Sequence, residues 1–106
     1  MGTIRHLDEE LLFEAVLTLR TPEACQRFFE DICTIKELQA IAQRFRVACL
    51  LDEGKNYLEV SEATGASSAT ISRVNRCLNY GSGYRETLDN LKKAGKLNDD
   101  GSDLEK

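Results

Sequence analysis

The sequence holds one histidine, one proline and no two cysteines at CxxC spacing. Structural metal sites draw on clustered cysteine and histidine, so none is expected here. Cys25, Cys33, Cys49 and Cys77 each fall inside an expected helix, mostly beside apolar neighbours, where a thiol behaves as a small buried hydrophobe. They are read as reduced and structural, with a redox or ligand role left open for Cys77 alone. No apolar stretch approaches the ~20 residues of a membrane span. The N-terminus MGTIRHLDEELLFEA sets acidic residues ahead of its apolar positions and lacks a signal-peptide cleavage region. A cytoplasmic location with no membrane partner is expected. There is no glycine-rich phosphate loop, and no Ser-His-Asp or Cys-His arrangement can be assembled, so the chain is not read as an enzyme. Polar and apolar residues nowhere alternate with the period of two that marks a strand.

What is present fits one globular domain of 106 residues, 42% hydrophobic and 30% charged. The net charge of −4 excludes a generic polyanion binder. Distribution says more than the sum. No carboxylate occurs from Ala63 to Arg85, a stretch that contains Arg73, Arg76 and Arg85. The acids concentrate in residues 8–37 and in the tail after Gly95. A locally positive face on an acidic protein suits a specific DNA reader.

The pattern is helical almost throughout. Asp8 is the expected N-cap of a helix carrying Leu11, Leu12, Ala15, Val16 and Leu19. Thr21-Pro22-Glu23 opens a second, with a capping hydroxyl, proline at the first helical position and an acid at the positive end of the dipole. Thr34 and Glu37 form a capping box for a third helix, which runs to Asp52 or Glu53 and stops at Gly54. Within it, Val47-Ala48-Cys49-Leu50-Leu51 is apolar around the whole circumference. A helix greasy on all sides must be covered on all sides. A second copy of the chain is the expected cover, with an efficiently packed monomer as the alternative. Asn56 and Glu59 open a short helix that ends at Gly65; Ser67 caps the next, Ser68 to Asn79, whose apolar positions are Ile71, Val74 and Leu78. A last helix carries Tyr84, Leu88 and Leu91 and ends at Gly95. The expected organisation is all-α, with about six helices in a single domain over 1–95 and an acidic, flexible tail over 96–106.

Two short helices joined by a tight glycine-bearing turn make a helix-turn-helix over 56–80. Val60 is placed to pack on Ile71 and Val74, which leaves Ser67, Ser68, Ala69, Thr70, Ser72, Arg73 and Arg76 as the candidate DNA contacts. Short side chains near the helix start admit it to a major groove ~12 Å wide. Hydroxyls reach bases or phosphates, Ala69 meets a thymine methyl, and arginine grips guanine or phosphate. An ordinary surface hairpin would account for the caps and the glycine but not for the missing acids.

The stretch QRFRVACLLDEGKNYLEVSEATGASSATISRVNRCLNYG resembles the core of the Trp repressor superfamily, and especially the YerC/YecD-type Trp-repressor-like proteins. The resemblance covers about Thr34 to Asn90, and the run from Thr64 to Gly81 is its most specific part. It implies six helices in an intertwined homodimer, with two reading heads on a palindromic operator in double-stranded DNA. It also implies a site for an amino-acid corepressor, tryptophan or a similar small molecule, on Arg44, Arg73 and Thr70. Cys77 stands there in place of a serine that would receive the ligand's amino group, and a thiol is a weak acceptor for an ammonium. No cofactor is required by this reading. The expected function is a DNA-binding transcriptional regulator, a repressor, with a helical dimeric protein-interaction module as the alternative.

Overall fold

The computed structural model of the chain describes residues 2–97, with side chains from His6 onward. Six helices carry the regular structure of the described residues: α1 Gly2–Val16, α2 Pro22–Ile32, α3 Ile35–Asp52, α4 Tyr57–Thr64, α5 Ser68–Tyr80 and α6 Gly83–Lys93. The all-α expectation holds. Where a single domain is expected, the described residues divide into two compact units between Leu38 and Gln39. The division falls inside α3.

Local chemistry sets most helix ends. The Thr21 hydroxyl accepts from the Ala24 amide at 3.0 Å, and Pro22 follows at the first helical position. Thr34 and Glu37 form the expected box, with side chain to backbone distances of 3.1 and 2.8 Å. After α3, Gly54 takes a left-handed φ of 99°, and Lys55 and Gly54 donate back to Leu50 and Leu51. That pair of bonds satisfies two carbonyls the helix leaves open. Gly95 closes α6 in the same way, with Lys96 donating to Leu91.

One start is misplaced by the sequence reading. α1 begins at Gly2, so Asp8 lies within the helix rather than capping it. Nothing between Thr3 and Leu7 breaks a helix, and extending one that has nucleated costs little. A side-chain pair one turn apart, His6 Nε2 to Glu10 Oε2 at 2.8 Å, spans the expected boundary. Cys33, expected inside a helix, is instead the extended residue that ends α2.

The first unit has no buried residue among those described from His6 to Leu38. Phe28 and Phe29 meet edge to face with centroids 5.3 Å apart, and both are half-buried. Leu7, Leu11 and Phe13 of α1 and Leu17 just after it are all more than half exposed, as are Ile32 and Ile35. α1 thus keeps several large apolar side chains at its surface, among its acidic residues.

All core residues of the described chain lie between Val47 and Leu97. Val47, Ala48, Cys49 and Leu50 are buried with Val60 of α4, Ala66 of the turn, Ile71, Val74 and Leu78 of α5, Leu88 of α6, and Leu97. Phe45, Leu51, Tyr84 and Leu91 pack against this cluster from its edge. The apolar circumference of α3 is therefore covered by the chain's own α4 to α6 and needs no second copy. Sequence reasoning placed the uncovered apolar surface in the wrong helix. It belongs to α1. Leu97 keeps the chain packed two residues past Gly95, and the remainder of the expected acidic tail, 98–106, lies outside the described residues. All four cysteines are thiols, with Cys49 buried and the others half-buried. No group of histidine, cysteine or carboxylate side chains among the described residues could hold a metal.

Candidate nucleic-acid interface

α4 opens on a complete capping box: the Glu59 amide donates to Asn56 Oδ1 and the Asn56 amide to Glu59 Oε1, each at 2.9 Å. It closes at Gly65, whose φ of 75° is left-handed and whose amide donates to the Ser61 carbonyl at 2.8 Å. The turn that follows is hydrogen-bonded at each residue. Ala66 donates to Thr64 Oγ1 at 3.1 Å, and the Ser61 hydroxyl donates to the Ala66 carbonyl at 3.2 Å. Gln43 of α3 reaches across to the Thr64 carbonyl at 3.0 Å. The angle between α4 and α5 is thus set by a pinned turn with buried Ala66 at its centre. Gly65→Ala places a Cβ on a left-handed residue, which costs about 1–2 kcal/mol. Its urea midpoint is expected to fall accordingly, and an unchanged midpoint would show that the turn relaxes.

Ser67 caps α5 by accepting from the Thr70 amide at 3.1 Å. The Ser67 hydroxyl in turn donates to Thr70 Oγ1 at 3.1 Å. Of the candidate contacts, Ser67 therefore has its hydroxyl committed to the cap, whereas Thr70 keeps its own proton to donate. Ile71, Val74 and Leu78, spaced three and four apart, are buried. This turns the other side of α5 outward. Ser67, Ser68, Ala69, Ser72, Arg73 and Arg76 are exposed, and Thr70 is half-buried. All seven residues named from the sequence thus belong to one accessible surface or its margin. Small residues occupy its first turns and the two arginines its second half.

The four residues singled out for a ligand are Arg44, Thr70, Arg73 and Cys77. Arg44 is exposed on α3 and Cys77 half-buried on α5. The structure adds a residue to them. Tyr84 of α6 is half-buried, its ring 6.3 Å from that of Phe45 and tilted by 30°. Burial pushes the Tyr84 phenol above its usual range and the Cys77 thiol adds to this, while Arg44 and Arg73 pull the other way. Three of the four residues thus act on one hydroxyl that sequence reasoning took as a plain apolar position.

A second unexpected group braces the reading head from behind. Asp52, the last residue of α3, accepts from Arg85 Nη1 at 2.7 Å and from Lys92 Nζ at 2.8 Å. Its side chain is 9% exposed. The two cations lie seven residues apart on α6, with Leu88 buried between them. α6 in turn packs on α5. No local signal marks this clamp, because its partners are 33 and 40 residues away.

Comparison with known proteins places this geometry in a family. The Trp repressor protein family matches residues 7–92. The chain is 50% identical over 91 residues to the uncharacterized protein YerC of Bacillus subtilis, covering 85% of this chain and 88% of that one. It resembles the crystal structure of a TrpR-like protein from Eubacterium eligens with a TM-score of 0.79 and 47% identity, over 86% of this chain and 95% of that one. A Staphylococcus aureus structure described as a candidate Trp repressor matches with a TM-score of 0.75 and 44% identity, over 83% and 87% of the two chains. The chain belongs to the Trp repressor family of DNA-binding regulators, as a YerC-type Trp-repressor-like protein.

Proposed function

We propose that the chain is a sequence-specific transcriptional repressor that binds a palindromic operator as a homodimer in the cytoplasm, with α5 in the major groove. The observation that carries this reading is the outer face of α5. Ser68, Ala69, Ser72, Arg73 and Arg76 are exposed on a helix held by three buried residues on its other side, within a stretch of chain that has no carboxylate from Ala63 to Arg85. Small side chains let the helix start approach base edges, and the arginines further along supply guanine or phosphate contacts. Regulation by binding, not catalysis, is the role this face fits, and no cofactor is required for it.

The homodimer is supported by α1. A helix with exposed Leu7, Leu11 and Phe13 needs a cover, and a second copy presents the same apolar surface in return. Two heads in one dimer would enter successive major grooves about 34 Å apart.

Selection from a random duplex library tests the reading, and a palindrome should be enriched. Absence of any enriched site at low salt would instead favour a protein-interaction module. On the selected duplex, ~4–8 phosphate contacts give a log–log salt slope of about −4 to −7. Arg73→Ala should weaken binding by about 1–3 kcal/mol in anisotropy titrations. Wild-type affinity in that variant would mean that the reading helix is misplaced.

A further inference from the structure

Tyr80, the last residue of α5, carries the most exposed large apolar side chain among the described residues, at 87%. Its place on the helix gives that exposure a direction. At about 100° per residue, Ala69, Arg73, Arg76 and Tyr80 fall within about 60° of one another. Ile71, Val74 and Leu78 are buried on the opposite side. The candidate contacts named from the sequence stop at Arg76, but the line they follow runs one turn further, to Tyr80.

The end of this line is held by the backbone. The Gly81 amide donates to the Cys77 carbonyl at 2.9 Å, and a Cβ on residue 81 would meet that carbonyl oxygen at 2.8 Å. A side chain there would push the cap open, so glycine lets α5 run intact to Tyr80. No carboxylate occurs in the sequence from Ala63 to Arg85 to repel an anion near it.

Side chains on the outer line lengthen toward the C-terminus, from Ala69 to the two arginines and the tyrosine. The end with small side chains comes closest to the bases, and the end with long ones stands further from the groove floor. Ala69 and Tyr80 lie about 16 Å apart along the axis at about 1.5 Å per residue, more than the ~12 Å width of the groove. A helix that enters by its N-terminus therefore carries Tyr80 to the sugar–phosphate wall. A phenolic O–H can donate to a phosphate oxygen there, and a bond to a charged acceptor is stronger than a neutral one.

We propose that Tyr80 is a DNA-backbone contact, donating its hydroxyl to a phosphate oxygen at the rim of the major groove and fixing how far α5 penetrates. The contact deepens the DNA-binding reading above and rests on it. A phenol carries no positive charge, so it adds affinity without releasing a counterion. Phosphate is the same at every base pair, so the contact adds no sequence preference.

Tyr80→Phe, titrated on the selected duplex, tests the contact. It loses only a hydroxyl at an exposed position, so its melting temperature should match wild type while its affinity falls about five- to tenfold. The factor should be the same on single-base variants of that duplex, and the salt slope should stay unchanged. Methylphosphonate, placed at one phosphate at a time, should locate the acceptor. At one position in each half-site it should weaken wild type about five- to tenfold more than it weakens Tyr80→Phe. Wild-type affinity in Tyr80→Phe would overturn the contact while leaving the DNA reading intact. A loss that varies with one base pair would overturn it too, by making Tyr80 a base reader. A wild type that binds no duplex would remove the DNA reading itself, and the contact with it.

Discussion

Asp52→Ala is expected to destabilise the protein by about 2–3 kcal/mol, the largest effect of any single substitution outside the apolar core. Breaking a buried ion pair by removing one partner commonly costs about 3–5 kcal/mol, because the remaining charge is left without compensation. Here the cost is reduced on one side. Arg85 has a 42% exposed side chain and a second carboxylate, Asp89, at 4.0 Å, so it can turn to solvent. Lys92 is only 17% exposed and has less freedom. Urea unfolding of the variant should show a lower midpoint with an unchanged slope. A loss below about 0.5 kcal/mol, typical of a surface pair, would mean that the clamp is ornamental.

The same carboxylate has a pH signature. Burial raises its pKa, but the hydrogen bonds and charges of Lys92 and Arg85 outweigh burial and hold it below the ordinary 3.8. The unfolded chain therefore binds a proton at Asp52 before the folded one does. Its stabilising contribution is complete above the ordinary value and is lost as pH falls through the depressed one. Wild type and Asp52→Ala should accordingly converge in stability below about pH 4. A gap that persists at lower pH would assign the effect to packing instead.

Converting two exposed leucines of α1 to glutamate should abolish the proposed dimer. Leu7 and Leu11 are 57% and 72% exposed and stand one turn apart. Burying a leucine against a partner contributes about 1.5–3 kcal/mol, so losing two weakens association by at least about a hundredfold. The added carboxylates would sit beside Glu10 and Glu14 of each copy, which deepens the loss through like-charge repulsion. Glutamate is a good helix former, so α1 itself should persist. Sedimentation at micromolar concentration should give a monomer for Leu7→Glu/Leu11→Glu and a dimer for wild type. A dimeric double variant would place the interface elsewhere, and a monomeric wild type would remove it.

Much of the site could be read in one dimension because its determinants are local. The boxes at Thr34 and Asn56, the caps at Thr21 and Ser67 and the left-handed glycines at 54 and 65 involve partners within five residues. The buried side of α5 follows from spacings of three and four, and its outward side follows by exclusion. Asp8 misled because capping propensity is weak beside the ease of extending a helix. The apolar ring of α3 misled for another reason: periodicity reports that a surface is greasy and says nothing about which segment covers it.

From the order of residues alone came six helices, a turn at Gly65 and an acid-free reading surface, since each depends on contacts a turn or two long. Only the tertiary structure decided that α3 is covered from within, that Asp52 gathers two cations and that the Tyr84 ring packs beside Phe45. The last two join groups more than 30 residues apart, and such encounters are chosen by how the whole chain packs, where local preference has no say.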